Sequence, residues 1–267
     1  MRRRNFIKTS FAAGLSVGLS GFSLPGSGNK THILTLSFDD GFKKSFYRIA
    51  EMHEEYGLKA CLNVIASGHL KSFKPKDKWI IPETLGSFDD WNKLQARGHE
   101  IMPHTWEHLD LTKIPIEKAK KNIDKCLGYF EENLDGFGTS TSVYNFAYNA
   151  STPELENYLL RRVRAVRTGG WLVLNGTNIN NLPVSDGPLK LGCWGYGPGL
   201  CDSYVEKQVN DFIAGPGGWL ILNLHGLDNE GWGPVSTTYL NSLLKRSVTT
   251  GRFSIMPYGE VLKKYKV

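Results

Sequence analysis

The sequence predicts an α/β protein built on a parallel sheet, either a barrel or a doubly wound sheet. Three observations carry that prediction. Short apolar runs alternate with amphipathic segments of helical period from residue 32 onward. Acidic and histidine residues stand where apolar runs end, the edge at which such sheets gather their chemistry. No repeat, low-complexity stretch or compositional break divides the chain after residue 28, so residues 29–267 read as a single domain.

The expected strands are His32 to Phe38, Ala60 to Ile65, His99 to Met102, Val143 to Ala147, Ala165 to Thr168, Trp219 to Leu224 and Arg252 to Met256. The expected helices are Lys44 to Tyr56, Phe88 to Arg97, Pro115 to Asn133, Pro153 to Arg162, Ser203 to Ala214, Ser236 to Ser247 and Tyr258 to Tyr265. Several open on a capping residue or an early proline, as at Ser151-Thr152-Pro153. Gly68 to Glu83 and Asn175 to Gly199 read as long loops.

Forty per cent hydrophobic and 22% charged residues describe an ordinary globular chain, which argues against both disorder and a membrane bundle. The first residues read differently. Arg2, Arg3, Arg4 and Lys8 precede a weakly apolar stretch, Phe11 to Leu24, broken by Gly14, Gly18 and Gly21. That stretch is shorter than the roughly 20 residues a spanning helix needs, so no permanent membrane anchor is expected. Residues 1–28 are read as an export signal and linker, and Arg3-Arg4-Asn5-Phe6-Ile7-Lys8 resembles the twin-arginine signal. The expected partner there is the export machinery, and the expected location is periplasmic or extracellular.

The net charge of +6 includes the four leader cations, which leaves the rest only slightly basic and does not imply nucleic acid. The lysine cluster from Lys71 to Lys78 reads as a solvated face of a loop. Four cysteines are too few for a disulfide-built scaffold. Cys193 and Cys201 flank a Gly-rich loop and are candidates for a pair, whereas Cys61 and Cys126 read as buried thiols.

The chemistry gathers in three segments. Asp39-Asp40-Gly41 ends the first strand, His104-Thr105-Trp106-Glu107-His108 follows the third, and His225 ends the strand Trp219 to Leu224. Two imidazoles and one carboxylate leave an open position on a divalent ion, where water ionises near pH ~7 instead of ~15.7. A second carboxylate remains for proton transfer. Each piece is weak alone, because Asp-Asp-Gly is a common turn and a histidine beside a core strand is most often structural. Pro103 and the run before it place His104 and His108 on a strand entering a loop, so their spacing must work through a turn and not a helix face. Strand alternation puts Asn223 on the same face as His225.

Ser37-Phe38-Asp39-Asp40-Gly41, then Gly98-His99-Glu100-Ile101 with His104-Thr105-x-x-His108, then an apolar strand ending Leu224-His225, resembles the polysaccharide deacetylases of carbohydrate esterase family 4, which carry the NodB-like domain. The likeness runs over roughly residues 30 to 265. It implies a distorted (β/α) barrel and metal-dependent removal of acetyl groups from an acetylated glycan. It assigns Asp39 as catalytic base, Asp40, His104 and His108 as metal ligands, and His225 as general acid. Zinc suits the donor set, with cobalt, nickel or iron able to use the same ligands.

The sequence departs from that pattern at Tyr144 to Ser151, where the family shows an Arg-x-Pro-Tyr motif. Ala147 stands at the arginine position, Asn149 at the proline and Ala150 at the tyrosine. Arg167, at the end of the next strand, is the candidate to hold the base carboxylate instead. Trp171 and Trp194 are both candidates for the family's pocket tryptophan. N-acetyl amides are favoured over O-acetyl esters as substrate. The alternatives are a glycan-binding protein without turnover, with aromatic residues between Trp194 and Tyr204 and Trp232 stacking on sugars, or a hydrolase of another non-peptide carbon-nitrogen bond.

Overall fold

The structure, a computed structural model, describes residues 31–169 and 179–265. The leader, its linker and Trp171 lie outside the described residues. The first strand, β1 (His32–Phe38), is buried along its whole length. A strand covered on both faces is expected to be largely apolar, and here Ile33, Leu34, Leu36 and Phe38 are, with Thr35 and Ser37 buried among them. It pairs in parallel with β7 (Gly218–Leu224) from His32–Gly218 to Phe38–Leu224. Its other edge is shared: β8 (Ser254–Ile255) takes the first half, and β2 (Cys61–Val64) takes Ser37 and Phe38. Beyond β2 lies β3 (Glu100–Pro103), also parallel.

A second parallel sheet has the order β4 (Val143–Asn145), β5 (Ala165–Thr168), β6 (Leu189–Gly192). The two sheets meet edge to edge at two seams. After β6 the chain runs beside β7, where Trp194 N–H donates to Ile221 O at 3.1 Å and Asn223 N–H donates to Trp194 O at 2.6 Å. At the other seam a side chain does the joining, Asn145 Nδ2 donating to Pro103 O at 3.3 Å. The result is an α/β fold of the expected distorted barrel type, in which, among the described residues, a single-residue bridge and side-chain contacts link the sheets.

Helices α1 (Lys43–Glu55), α2 (Phe88–Ala96), α3 (Ile116–Asn133), α4 (Pro153–Leu159), α5 (Asp202–Ala214), α6 (Thr237–Thr250) and α7 (Tyr258–Lys264) flank the strands. Ser87 and Asp90 form a capping box on α2. The Thr152 and Ser236 side chains accept from Leu155 and Tyr239 at the starts of α4 and α6. Alternation along β1 divides the core. Leu34, Leu36 and Phe38 pack with Phe46, Trp91 and Phe130 of the helices. Ile33 faces the other way and packs with Cys61, Val143, Ala165, Trp219 and Ile221.

Three expectations are corrected. Strand β6 forms within a stretch read as loop, because Leu189-Lys190-Leu191-Gly192 is too short and too interrupted to announce itself. The strand from Val143 stops at Asn145 because Ala147–Asn149 turns as a 3-10 segment with Tyr148 at φ 57°. Cys193 and Cys201 are both buried free thiols, as are Cys61 and Cys126. The Cys201 thiol donates to Gly233 O at 3.2 Å, away from any pairing. Among the described residues no helix is long and apolar enough to cross a membrane.

On α1, His53 is 1% exposed and its Nδ1 lies 2.7 Å from Ile49 O. Burial pushes its pKa down to about 4, against a weaker opposing effect of that backbone bond. The unfolded chain therefore binds a proton that the folded one refuses, and stability present above pH ~6.5 is lost as the pH falls through 4. We expect His53 to contribute a loss of about 3 kcal/mol across that window. Urea unfolding at several pH values should show a shallower acid slope for His53→Gln than for the wild type; parallel slopes would refute the assignment.

Candidate active site

The carboxyl ends of β1, β2, β3 and β7 reach one rim because the strands run parallel and in register. Asp39 follows Phe38, whose partner Leu224 precedes His225, and Asp39 N–H donates to Leu224 O at 2.8 Å. Two consecutive carboxylates ordinarily diverge at a strand end. Here Asp40 takes φ 78° and Gly41 φ 89°, and this sharp turn brings both carboxylates to the same imidazole. Asp39 Oδ2 and Asp40 Oδ1 lie 3.6 and 3.5 Å from His104 Nε2. A Cβ on Gly41 would stand 3.3 Å from the Trp91 ring, in a backbone region that disfavours side chains.

His104 and His108 sit on a tight turn after β3, with Thr105 at φ 64° and His108 at φ 54°. Thr105 Oγ1 accepts the His108 N–H at 3.0 Å and fixes that turn. Each imidazole is oriented from behind. His104 Nδ1 lies 3.1 Å from Asn145 O, and His108 Nδ1 lies 2.7 Å from Asp77 Oδ2. A carbonyl can only accept, so Nδ1 of His104 carries the proton and its Nε2 is left as a lone-pair donor. One ligand atom from each of Asp40, His104 and His108 lies within 4.8 Å of the others. Asp40 is 1% exposed, yet neither of its oxygens has a hydrogen-bond donor among the described residues. A buried carboxylate without donors beside two oriented imidazoles fits a divalent cation, with nitrogen and oxygen donors suited to zinc. Burial opposes ionisation of Asp40, but the His108 charge and a contact from His104 outweigh it and hold the carboxyl well below its usual range.

Asp39 is held differently. Arg167 grips it with two bonds, Nη1 to Oδ1 at 3.0 Å and Nη2 to Oδ2 at 2.7 Å. Asn63 Nδ2 donates to Oδ1 and Asn223 Nδ2 to Oδ2, each at 2.7 Å. Burial again opposes ionisation, and the Arg167 charge, then His104, keep Asp39 ionised. Arg167 thus supplies from β5 the guanidinium missing at Ala147, and Asn223 joins it.

His225 is 8% exposed and meets Trp232 edge-on at 5.7 Å. Its Nδ1 has no partner among the described residues, and burial lowers its pKa against the opposing charges of Asp40 and Asp39. A pocket of about 310 Å³ opens over these groups, with Trp79, Tyr148, Asn149 and Trp232 among its walls. Trp194 serves the β6–β7 seam, while Trp232 lines the pocket.

The family model described as polysaccharide deacetylase matches residues 26–161. The chain belongs to the polysaccharide deacetylase family. Among solved structures, a Mycobacterium smegmatis protein assigned as a polysaccharide deacetylase superposes with TM-score 0.65 at 12% identity, covering 91% of this chain and 92% of that one. The peptidoglycan deacetylase PdaC of Bacillus subtilis gives 0.52 at 15% identity, covering 89% and 93%. BA3943 of Bacillus anthracis, a pseudoenzyme of the same esterase family, gives 0.53 at 11%, covering 90% and 68%. These likenesses show a shared fold. No curated protein sequence matches significantly.

Several residues of this deacetylase-family site escaped the sequence reading. Asn63 and Asn145 were polar positions in apolar strands, a signal open to inspection. Asp77 lies inside the lysine cluster read as a solvated face, and only its placement against His108 reveals it. Removing one partner of a buried ion pair costs about 3–5 kcal/mol. We expect that loss in urea unfolding of Arg167→Leu, with much of it regained when Asp39→Asn is added. A single variant as stable as wild type would show that Arg167 does not balance Asp39.

Proposed function

We propose that the protein is a metal-dependent deacetylase that hydrolyses acetyl groups on an acetylated glycan, N-acetyl amides in preference to O-acetyl esters. The carrying observation is the convergence of Asp40, His104 and His108 beside buried Asp39 and His225, with His108, Asp39 and His225 lining one pocket. The leader read in residues 1–28 supports work outside the cytoplasm. Bound by Asp40, His104 and His108, a divalent ion, zinc by the donor set, supplies Lewis acidity to water and to the acyl oxygen.

The remaining steps belong to the chain. Asp39 accepts a proton from the attacking water, whose oxygen adds to the acyl carbon. Arg167, Asn63 and Asn223 hold Asp39 in place, and one of the asparagines gives up its bond to make room for the proton. His225, protonated from solvent beforehand, donates that proton to the departing nitrogen as the carbon-nitrogen bond breaks, and the proton taken up by Asp39 then returns to solvent. Acetate and an amine result, and water is the only reactant added. The pocket walls exclude bulk water and hold the sugar, Trp79, Tyr148 and Trp232 offering flat apolar faces to it.

One observation favours a second reading, a glycan-binding protein without turnover. Asp39 already accepts four donors, so its lone pairs are filled until one of the asparagines yields. Acetate release from N-acetylated and O-acetylated oligosaccharides by the metal-loaded protein separates the two. Release that disappears in Asp39→Asn and on chelation is the expected result. Stoichiometric metal and glycan binding without release from any substrate would favour the second reading.

Loss of a carboxylate behind a ligating imidazole lowers metal affinity by about 10–100-fold. That is the effect expected of Asp77→Asn in competition with a chromophoric zinc chelator. Wild-type affinity in the variant would remove Asp77 from the metal site.

A further inference from the structure

A line of amides leads from the carboxylate to the pocket wall, and its first member dictates the rest. Both oxygens of Asp39 already accept from Arg167, so the group of Asn223 that lies 2.7 Å from Oδ2 is its Nδ2. The other end of Asn223 is therefore the carbonyl Oδ1. Asn149 lies 3.0 Å from it and must present its own Nδ2. Turning either amide over would set two acceptors face to face. What remains is Asn149 Oδ1, an acceptor whose orientation is settled by a charge two residues away in the chain of bonds. It is buried and has no donor among the described residues, and Asn149 lines the pocket together with Asp39 and His225.

The backbone holds that amide in place. Tyr148 and Asn149 take φ 57° and 53°, and Asn149 N–H donates to Phe146 O at 3.1 Å. Asparagine tolerates this left-handed conformation better than most residues. Gly195 lets the chain approach from the other side, since a Cβ there would stand 3.3 Å from Asn223 Oδ1.

We infer that Asn149 is a specificity-determining residue, its Oδ1 accepting the N–H of an N-acylated amino sugar. This rests on the deacetylase reading and deepens it. An acyl amide carries a donor on the atom that leaves; an acyl ester carries an oxygen there and would face Asn149 acceptor to acceptor. A site built to bond an N–H discriminates against the analogue that lacks it, because the buried acceptor is then left unpaired. The discrimination sits on the pocket wall beside the reacting groups and does not require Asn149 to take part in proton transfer.

The test compares the wild type with Asn149→Gly, which removes the acceptor and accommodates the positive φ. Both are loaded with zinc and checked for metal content and thermal unfolding. The substrates are a tetramer of N-acetylglucosamine and an O-acetylated xylotetraose. Loss of one hydrogen bond predicts that the amide-to-ester ratio of kcat/KM falls on the order of tenfold in the variant. An unchanged ratio, with both substrates still hydrolysed, overturns the role of Asn149 and leaves the deacetylase reading standing. If the wild type hydrolyses neither, the deacetylase reading fails, and calorimetric affinities of the same two oligosaccharides decide the recognition role. A variant that weakens only the N-acetyl tetramer supports it, and equal weakening of both overturns it.

Discussion

The buried pair of Asp39 and Arg167 is the constraint around which the rim is arranged. Both side chains are withdrawn from water, and the two come from different sheets, Asp39 from the end of β1 and Arg167 from β5. Neither charge is tolerable there alone. The sheets must close on each other with enough accuracy to deliver a two-bonded guanidinium to a carboxylate. The weak backbone joining at the seams is thus compensated by an ionic contact across the interior. Asn63 and Asn145 extend the same tie, Asn145 Nδ2 donating to Asn63 Oδ1 at 3.0 Å from β4 to β2. Since Asn145 O also faces His104, the Asp39 carboxylate and the His104 imidazole share one hydrogen-bonded frame.

Strand period explains why the frame forms at this level. Inward positions run Ile33, Thr35, Ser37 and then Asp39 on β1, and Trp219, Ile221, Asn223 and then His225 after them on β7. Cys61 and Asn63 on β2, Val143 and Asn145 on β4, and Ala165 and Arg167 on β5 repeat the pattern. The interior is apolar at one end of the strands and polar at the other. Parallel pairing stacks these changes of character in a single layer, with Asn145 opposite Arg167 and Ser37 opposite Asn223. Tyr258 of α7 supports the layer from beneath, its hydroxyl donating to Ser37 Oγ at 2.8 Å.

Much of this was legible in the sequence because the signals were local. Continuous apolar runs marked β1 and β7, caps and prolines marked helix starts, and the family motifs marked Asp39, Asp40, His104, His108 and His225. What escaped depends on distance in the chain. Asp77 looks like any acid among lysines until the loop after β2 carries it to His108. Strand β6 has only four residues and closes on a glycine, and it exists because the edge of β5 and the path to β7 give it a place. The positive φ at Asp40 carries no sequence signal beyond the following glycine, yet it turns two adjacent carboxylates onto one centre. The register that brings Arg167 to Asp39 follows from how the two sheets meet, which no local pattern records.

Burial usually drives polar groups to find partners, and most of the interior obeys: Trp219 Nε1 donates to Thr35 Oγ1 at 2.9 Å, which in turn donates to Met256 O at 2.7 Å. The mouth of the barrel is among the places that depart from this. Asp40, His225, Asn149 and Trp79 each keep a buried polar atom without a partner among the described residues. Each such atom costs about 1–3 kcal/mol in a folded chain. A fold that spends cross-sheet hydrogen bonds so fully on Asp39 and leaves its neighbour Asp40 bare is not short of donors. The difference separates two settings of a carboxylate, one fixed by the protein and one left open beside two imidazoles, and the turn at Asp40 and Gly41 lets adjacent residues occupy both.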